Sequence, residues 1–147
     1  MEHLEYPSKE MWDLRREWFE ALLLKHEERG SFLVSEQACA LIAEAQSCFC
    51  AGAWVSVIIL AFTVVEAQLR ETEVPDFKGN SKQLLENLGF DDRFQQLRIR
   101  RNRLVHLDLE NPAITVDQQW IDRDKLKKEA EEAIQFMIEA FFSNPGT

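Results

Sequence analysis

Arg93, Arg98, Arg100, Arg101 and Arg103 fall within one stretch of eleven residues, with Asn102 among them and His106 just beyond. These are the residue types of phosphate chemistry. A guanidinium pairs with two phosphate oxygens through its planar fork, an amide orients a neighbour, and an imidazole moves a proton near neutral pH. At about 100° per residue, Asn102 and His106 stand one turn apart on a common helical stripe, and Arg98, Arg101 and Val105 occupy the adjoining stripe nearer the core. The expectation is a guanidinium, an amide and an imidazole around one small volume at a helix C-terminus, where the helix dipole favours a protonated His106.

Charge makes this helix stand out. The 147-residue chain carries a net charge of −9, whereas Asp91 to His106 sets five arginines against two aspartates and carries +3, leaving −12 on the remainder. A basic helix on an acidic body can hold a phosphodiester locally while the rest discourages unspecific coating. The competing reading is a solvated helix face paired with neighbouring acids.

The elements that must position these residues are helices. Apolar residues make up 46% of the chain and charged residues 29%, with five Gly and four Pro, a globular, helix-leaning composition large enough for a core of its own. Ser8 caps a first helix whose Met11, Trp12, Trp18, Phe19, Leu22 and Leu23 recur at helical spacing, ended by Gly30. Ser35 and Glu36 open a second, with Ala38, Leu41, Ile42, Ala45 and Phe49 on one face and a break near Gly52. Trp54 to about Arg70 is apolar nearly all round until Glu66, which marks it as the central helix and Glu66 as a half-buried acid. Its apolar run, Ala51 to Val65, is too short to span a membrane.

Lys82 to Asn87 forms a short helix stopped by Gly89, and Asp91 and Asp92 begin the arginine-rich helix, with Phe94, Leu97, Leu104 and Val105 turned inward. Asp108 to Trp120, with Asn111, Pro112 and the β-branched Ile114, Thr115 and Val116, reads as a long irregular connection that can lie over the site as a flap. Asp122 or Asp124 caps the last helix, whose buried side is Leu126, Ala130, Ala133, Ile134, Met137 and Phe141, and Pro145 marks its end. The predicted architecture is all-α: one domain over residues 1–147, an up-and-down bundle of four to five main helices with a short extra helix, residues 1–34 being an N-terminal extension.

Some chemistries are not expected. Cys39, Cys48 and Cys50 have neither zinc nor redox spacing and read as small buried hydrophobes, and no cluster resembles a metal site. No cofactor is expected. The first residues, Met1 to Glu5, lack the order of a secretory signal, which predicts a cytoplasmic protein with no membrane partner. His3 and His26 read as ordinary surface residues.

The run Arg101, Asn102, Arg103, Leu104, Val105, His106 resembles the signature of the HEPN superfamily, an Arg followed by four to six residues and a His, commonly with Asn after the Arg. The flanks agree. Ala53, Trp54, Val57, Ile58, Ala61, Thr63, Glu66, Ala67 and Leu69 are similar to that family's buried middle helix with its terminal acid, and Leu84, Leu88 and Gly89 lead into Leu97 and Arg98 in the same way. The resemblance spans about Ser35 to His106 and the last helix.

It implies a homodimer whose two motifs share a cleft, and a metal-independent endoribonuclease of the toxin or defence type. His106 would act as general base on the ribose 2′-hydroxyl or as general acid on the leaving oxygen, Arg101 would stabilise the phosphorane, and Asn102 would orient one or the other. Cleavage would leave a 2′,3′-cyclic phosphate. Arg100 and Arg103 would contact RNA. Glu66 would hold Arg101 or Arg98, either as a plain ion pair or with a direct part in catalysis. Toxin members with a nucleotidyltransferase antitoxin often carry a Tyr two residues after the His, where this chain has Asp108. An antitoxin partner would therefore act by another route, and Asp108 would oppose RNA unless it pairs with Arg103 or assists His106. Two other readings stand beside the nuclease: a non-catalytic helical module binding RNA, a nucleotide or a protein, and an unrelated bundle in which Arg101 only pairs with Glu66.

Overall fold

The computed structural model describes residues 4–145. Among the described residues seven helices follow in chain order: α1 (Lys9–Glu27), α2 (Glu36–Ala51), α3 (Trp54–Thr72), α4 (Ser81–Asn87), α5 (Asp92–Val105), α6 (Val116–Ile121) and α7 (Arg123–Phe141). No strand interrupts them among the described residues, and the one isolated bridge pairs Phe32 with Pro145. The expected helical bundle is what forms, with five long helices and two short ones. Among the described residues no helix is long and apolar enough to cross a membrane.

Helix α3 is central because apolar residues cover it on all but one narrow stripe, that of Ser56, Thr63, Glu66 and Arg70. Trp54, Val57, Ile58, Ala61, Phe62, Val64, Val65 and Leu69 are all buried, and α3 packs along α2 and α7, with α5 across it. Ala38, Ala45 and Phe49 of α2 and Ala130, Ala133, Ile134, Met137 and Ile138 of α7 complete the core. Gly52, at φ +79°, terminates α2 in the left-handed region and Ala53 begins α3, so α2 and α3 reverse direction within two residues. Ser8, Ser35, Asn80 and Asp91 each accept an amide at the N-terminus of the helix they precede.

Several sequence expectations are corrected. The 108–120 segment is not irregular throughout: Thr115 and Gln118 form a reciprocal capping box that starts α6, so the β-branched run divides between a cap and a helix. Neither Asp122 nor Asp124 caps α7 through its side chain. Asp122 is also the residue that closes α6, at φ −91° and ψ 31°, a conformation unlike the extended one a capping side chain needs. Val105 is exposed, and Leu104 is half-buried and packed against the core. Met11 and Trp12 lie at the exposed edge of α1. The cysteines divide into exposed Cys39, half-buried Cys48 and buried Cys50. Burial pushes the Cys50 thiol up despite the nearby cations of Arg15 and Arg16. His26 is half-buried, its Nδ1 lying 3.0 Å from the Leu22 carbonyl oxygen and its ring stacked on Phe142. His3 lies outside the described residues.

Candidate active site

Helix α5 owes its position to Phe94 and Leu97, which enter the core, while its polar residues project to three sides with different surroundings. On the first side, Arg93 pairs with Asp91 at 2.7 Å and Glu139 at 3.2 Å, clasping the start of α5 to α7. Arg100 lies a little further along. Its Nε and Nη2 donate to the two carboxylate oxygens of Glu129, at 2.5 and 3.3 Å, and its Nη1 donates to the Ala113 carbonyl at 2.9 Å. A residue grouped by sequence with RNA contacts is thus engaged in joining α5, α7 and the 106–115 connection. That connection is tied down beside α7 through Ala113 and the partly buried Ile114, and no hydrogen bond links it to Glu66 or Arg101 among the described residues. The connection expected to lie over the site as a flap is thus fastened to Arg100 through Ala113.

The second side faces α3. Glu66 Oε2 accepts from Arg101 Nη2 at 3.4 Å, and Oε1 accepts from Arg70 Nε and Nη2 at 3.2 and 3.1 Å and from the Ser81 hydroxyl at 2.6 Å. Arg70 also donates to the carbonyls of Phe77 and Gly79. One carboxylate therefore gathers α3, α4, α5 and the 73–80 loop. The Arg101 guanidinium carbon lies 4.8 Å from the centroid of the Phe62 ring, a cation–π arrangement that fixes the plane of the group. Two guanidiniums share one carboxylate here, so the cluster keeps an excess positive charge. Arg101 Nε is buried and has no acceptor, leaving an unused donor.

The third side carries the remaining motif residues. The helix ends at Val105, and His106 has extended backbone, φ −114° and ψ 121°, with its amide donating to the Asn102 carbonyl at 3.0 Å. The chain after it therefore leaves the helix axis. The His106 imidazole is exposed, Asn102 half-buried and Arg103 exposed, and none of the three side chains forms a hydrogen bond or ion pair among the described residues. Arg98 donates to Gln95 at 2.8 Å rather than to Glu66. Asp108 accepts the amides of Glu110 and Asn111 through Oδ1, at 3.1 and 3.2 Å, an Asx turn that shapes the connection. It pairs with neither Arg103 nor His106.

Within one chain, then, the fold brings Glu66 and Arg101 together and leaves His106, Asn102 and Arg103 at the surface. No hydrogen bond or ion pair joins Arg101 to His106 among the described residues, so the single volume predicted from spacing is not closed inside the protomer. Beside Glu66 and Arg70 lies a cleft of about 490 Å³, bordered also by Gln37, Thr63, Glu71 and Pro75. Sequence reasoning missed Arg70, Ser81 and Phe62. Arg70 was readable, four residues after Glu66 on the same helix, whereas Ser81 and Phe62 reach the cluster only through tertiary packing. Among the described residues no three His, Cys, Asp or Glu side chains come together as a metal site.

No family model matches this sequence, and no curated protein or solved structure matches it.

Proposed function

We propose that this chain is a HEPN-type endoribonuclease, working in the cytoplasm as a homodimer and cleaving RNA without a metal. The observation that carries the reading is the division of labour along α5: Arg101 is held in a fixed plane by Glu66 and Phe62, while His106 and Asn102 stand at the helix end without partners. A preset guanidinium suits a developing phosphorane charge, and an accessible imidazole suits proton transfer. In the reaction the ribose 2′-oxygen attacks phosphorus as its proton passes to a base. The bond from phosphorus to the 5′-oxygen breaks, that oxygen takes a proton from an acid, and a 2′,3′-cyclic phosphate remains. His106 fills one of the two proton roles, Asn102 orients it or the phosphate, and Arg103 holds an adjoining phosphate.

Pairing of protomers supplies what one chain lacks. Val105, Leu107 and Leu109 flank His106 and are 45%, 81% and 85% exposed, an apolar fringe suited to a second copy. Facing α5 ends would add a second His106 to the site. An antitoxin partner, if the chain has one, would cover this same end, since Asp108 stands where the modifiable Tyr would be.

One observation favours a second reading, a non-catalytic module that binds RNA or a protein: Arg101 is already paired within the fold, and −12 of charge surrounds the +3 helix. Incubating RNA with the purified protein and with a His106→Ala variant, both in EDTA, separates the two. Cleavage by the parent alone supports the nuclease, and retention of RNA without cleavage supports the module.

A further inference from the structure

The end of the bundle where α2 turns into α3 holds a second pair of arginines. Glu5, in the segment leading into α1, places its carboxylate between Arg15 of α1 and Arg123 of α7. Oε1 accepts from Arg15 Nη2 at 2.5 Å and Oε2 accepts from Arg123 Nη2. Both guanidiniums lie against the buried Trp54 ring, with their carbons 4.7 and 5.7 Å from its centroid. Backbone carbonyls fix them from behind, Cys50 for Arg15 and Gly52 for Arg123. The pair is therefore held in place by groups other than Glu5.

One carboxylate is an incomplete counterion for this arrangement. It offsets one of two positive charges, and Arg15 Nε remains buried without an acceptor although the Arg15 side chain is only 10% exposed. The space is shaped for an anion. A Cβ on Gly52 would lie 2.5 and 2.6 Å from the two oxygens of the Glu5 carboxylate, so the absent side chain is what admits it. Ala53 offers no side-chain cap, which leaves the first amides of α3 open at the positive end of a 19-residue helix. These amides border a cavity of about 320 Å³ that reaches Gln119 and Ser56, within the size range of small-molecule sites.

Glu5 is held through its carboxylate alone. It lies outside any helix, and its neighbours Leu4 and Tyr6 are 73% and 93% exposed, contributing little burial.

We infer that Arg15, Arg123 and the start of α3 form a binding site for a phosphate monoester, and that Glu5 occupies this site in cis as a displaceable stand-in. A phosphate dianion balances both guanidiniums and offers three acceptor oxygens where the carboxylate offers two. The organic part of the ligand extends into the cavity beside Gln119. This site is separate from α5, and the inference does not rest on the nuclease reading.

The test is calorimetric titration of inorganic phosphate, at constant ionic strength, into the parent chain, Glu5→Ala, Glu5→Gln and Glu5→Ala combined with Arg123→Gln, each checked for helix content by circular dichroism. Removing the stand-in should tighten phosphate binding at least tenfold in Glu5→Ala and by a smaller factor in Glu5→Gln, and the double variant should lose the gain. If Glu5→Ala does not fold, Glu5→Gln is read in its place. Unchanged phosphate affinity in the folded Glu5 variants, or a gain that survives Arg123→Gln, overturns the proposal and leaves Glu5 as a structural clasp.

Discussion

Glu66 and Arg101 meet 3.4 Å apart, carboxylate to guanidinium, across the contact between α3 and α5. Both side chains keep about a quarter or less of their surface exposed, 24% and 20%, so the pair works in a partly desolvated setting. Glu66 also accepts from Arg70 and Ser81, and its loss would leave two guanidiniums without a counter-charge. Glu66→Gln should therefore cost about 2 kcal/mol of stability, below the range for fully buried pairs because some water remains. Urea unfolding with an unchanged slope measures this. A midpoint equal to the parent's would show that Glu66 does not hold the cluster.

The two arginines assigned to RNA from sequence should separate in a binding experiment. Arg100 is committed to Glu129 and Ala113, so Arg100→Ala should lower stability by about 2 kcal/mol. The salt dependence of RNA binding should remain unaltered. Arg103 is exposed, so Arg103→Ala should leave stability within about 0.5 kcal/mol and reduce the slope of log affinity against log salt by about 0.7 for single-stranded RNA. Filter binding at several salt concentrations, beside thermal unfolding, checks both. Equal effects on the salt slope would show that Arg100 leaves Glu129 when RNA binds.

Much of this was legible in the sequence, and the failures have physical causes. The boundaries of α2 and α3 follow from Ser35, Gly52 and a long apolar run, all local signals. The half-burial of Glu66 follows from helical periodicity, and its place beside Arg101 is one of the two that the resemblance implied. Periodicity stops short of the relation between Arg101 and His106, because α5 ends at Val105 and His106 is its C-cap with extended backbone. The partners of Arg100 were hidden for a related reason: a run of arginines shows charge, and only the fold reveals that Glu129 on α7 lies opposite. The Glu5 clasp was invisible because Glu5 and Arg123 are 118 positions apart.

Acid should weaken the clasp in a defined direction. Burial alone would raise the Glu5 carboxyl above its ordinary 4.5, yet hydrogen bonds from Arg123 and Arg15 outweigh burial and hold it below. The folded chain thus binds this proton less readily than the unfolded one. The stabilisation is complete above the ordinary carboxylate range and disappears as pH falls through the lowered value. Between pH 7 and pH 3 the parent should lose more stability than Glu5→Gln, whose side chain does not titrate. Parallel pH dependences in urea would contradict the account.

Leu107 and Leu109 should matter to assembly and not to folding. Both are exposed in the protomer, so replacing them with Ser should leave the melting temperature of the monomer within a degree or two. It should weaken self-association at least tenfold by sedimentation equilibrium. A parent chain that sediments as a monomer at tens of micromolar would remove the dimer from the proposal.

The central claim is that His106 and Arg101 act on one phosphate of RNA, and the chemical identity of the product ends tests it most directly. RNA incubated with the parent chain in EDTA should yield fragments that mass spectrometry identifies as bearing 2′,3′-cyclic phosphates. His106→Ala and Arg101→Lys, both folded, should each reduce the initial rate by at least a hundredfold. Intact RNA with the parent, or cleavage that persists undiminished in His106→Ala, would contradict the account.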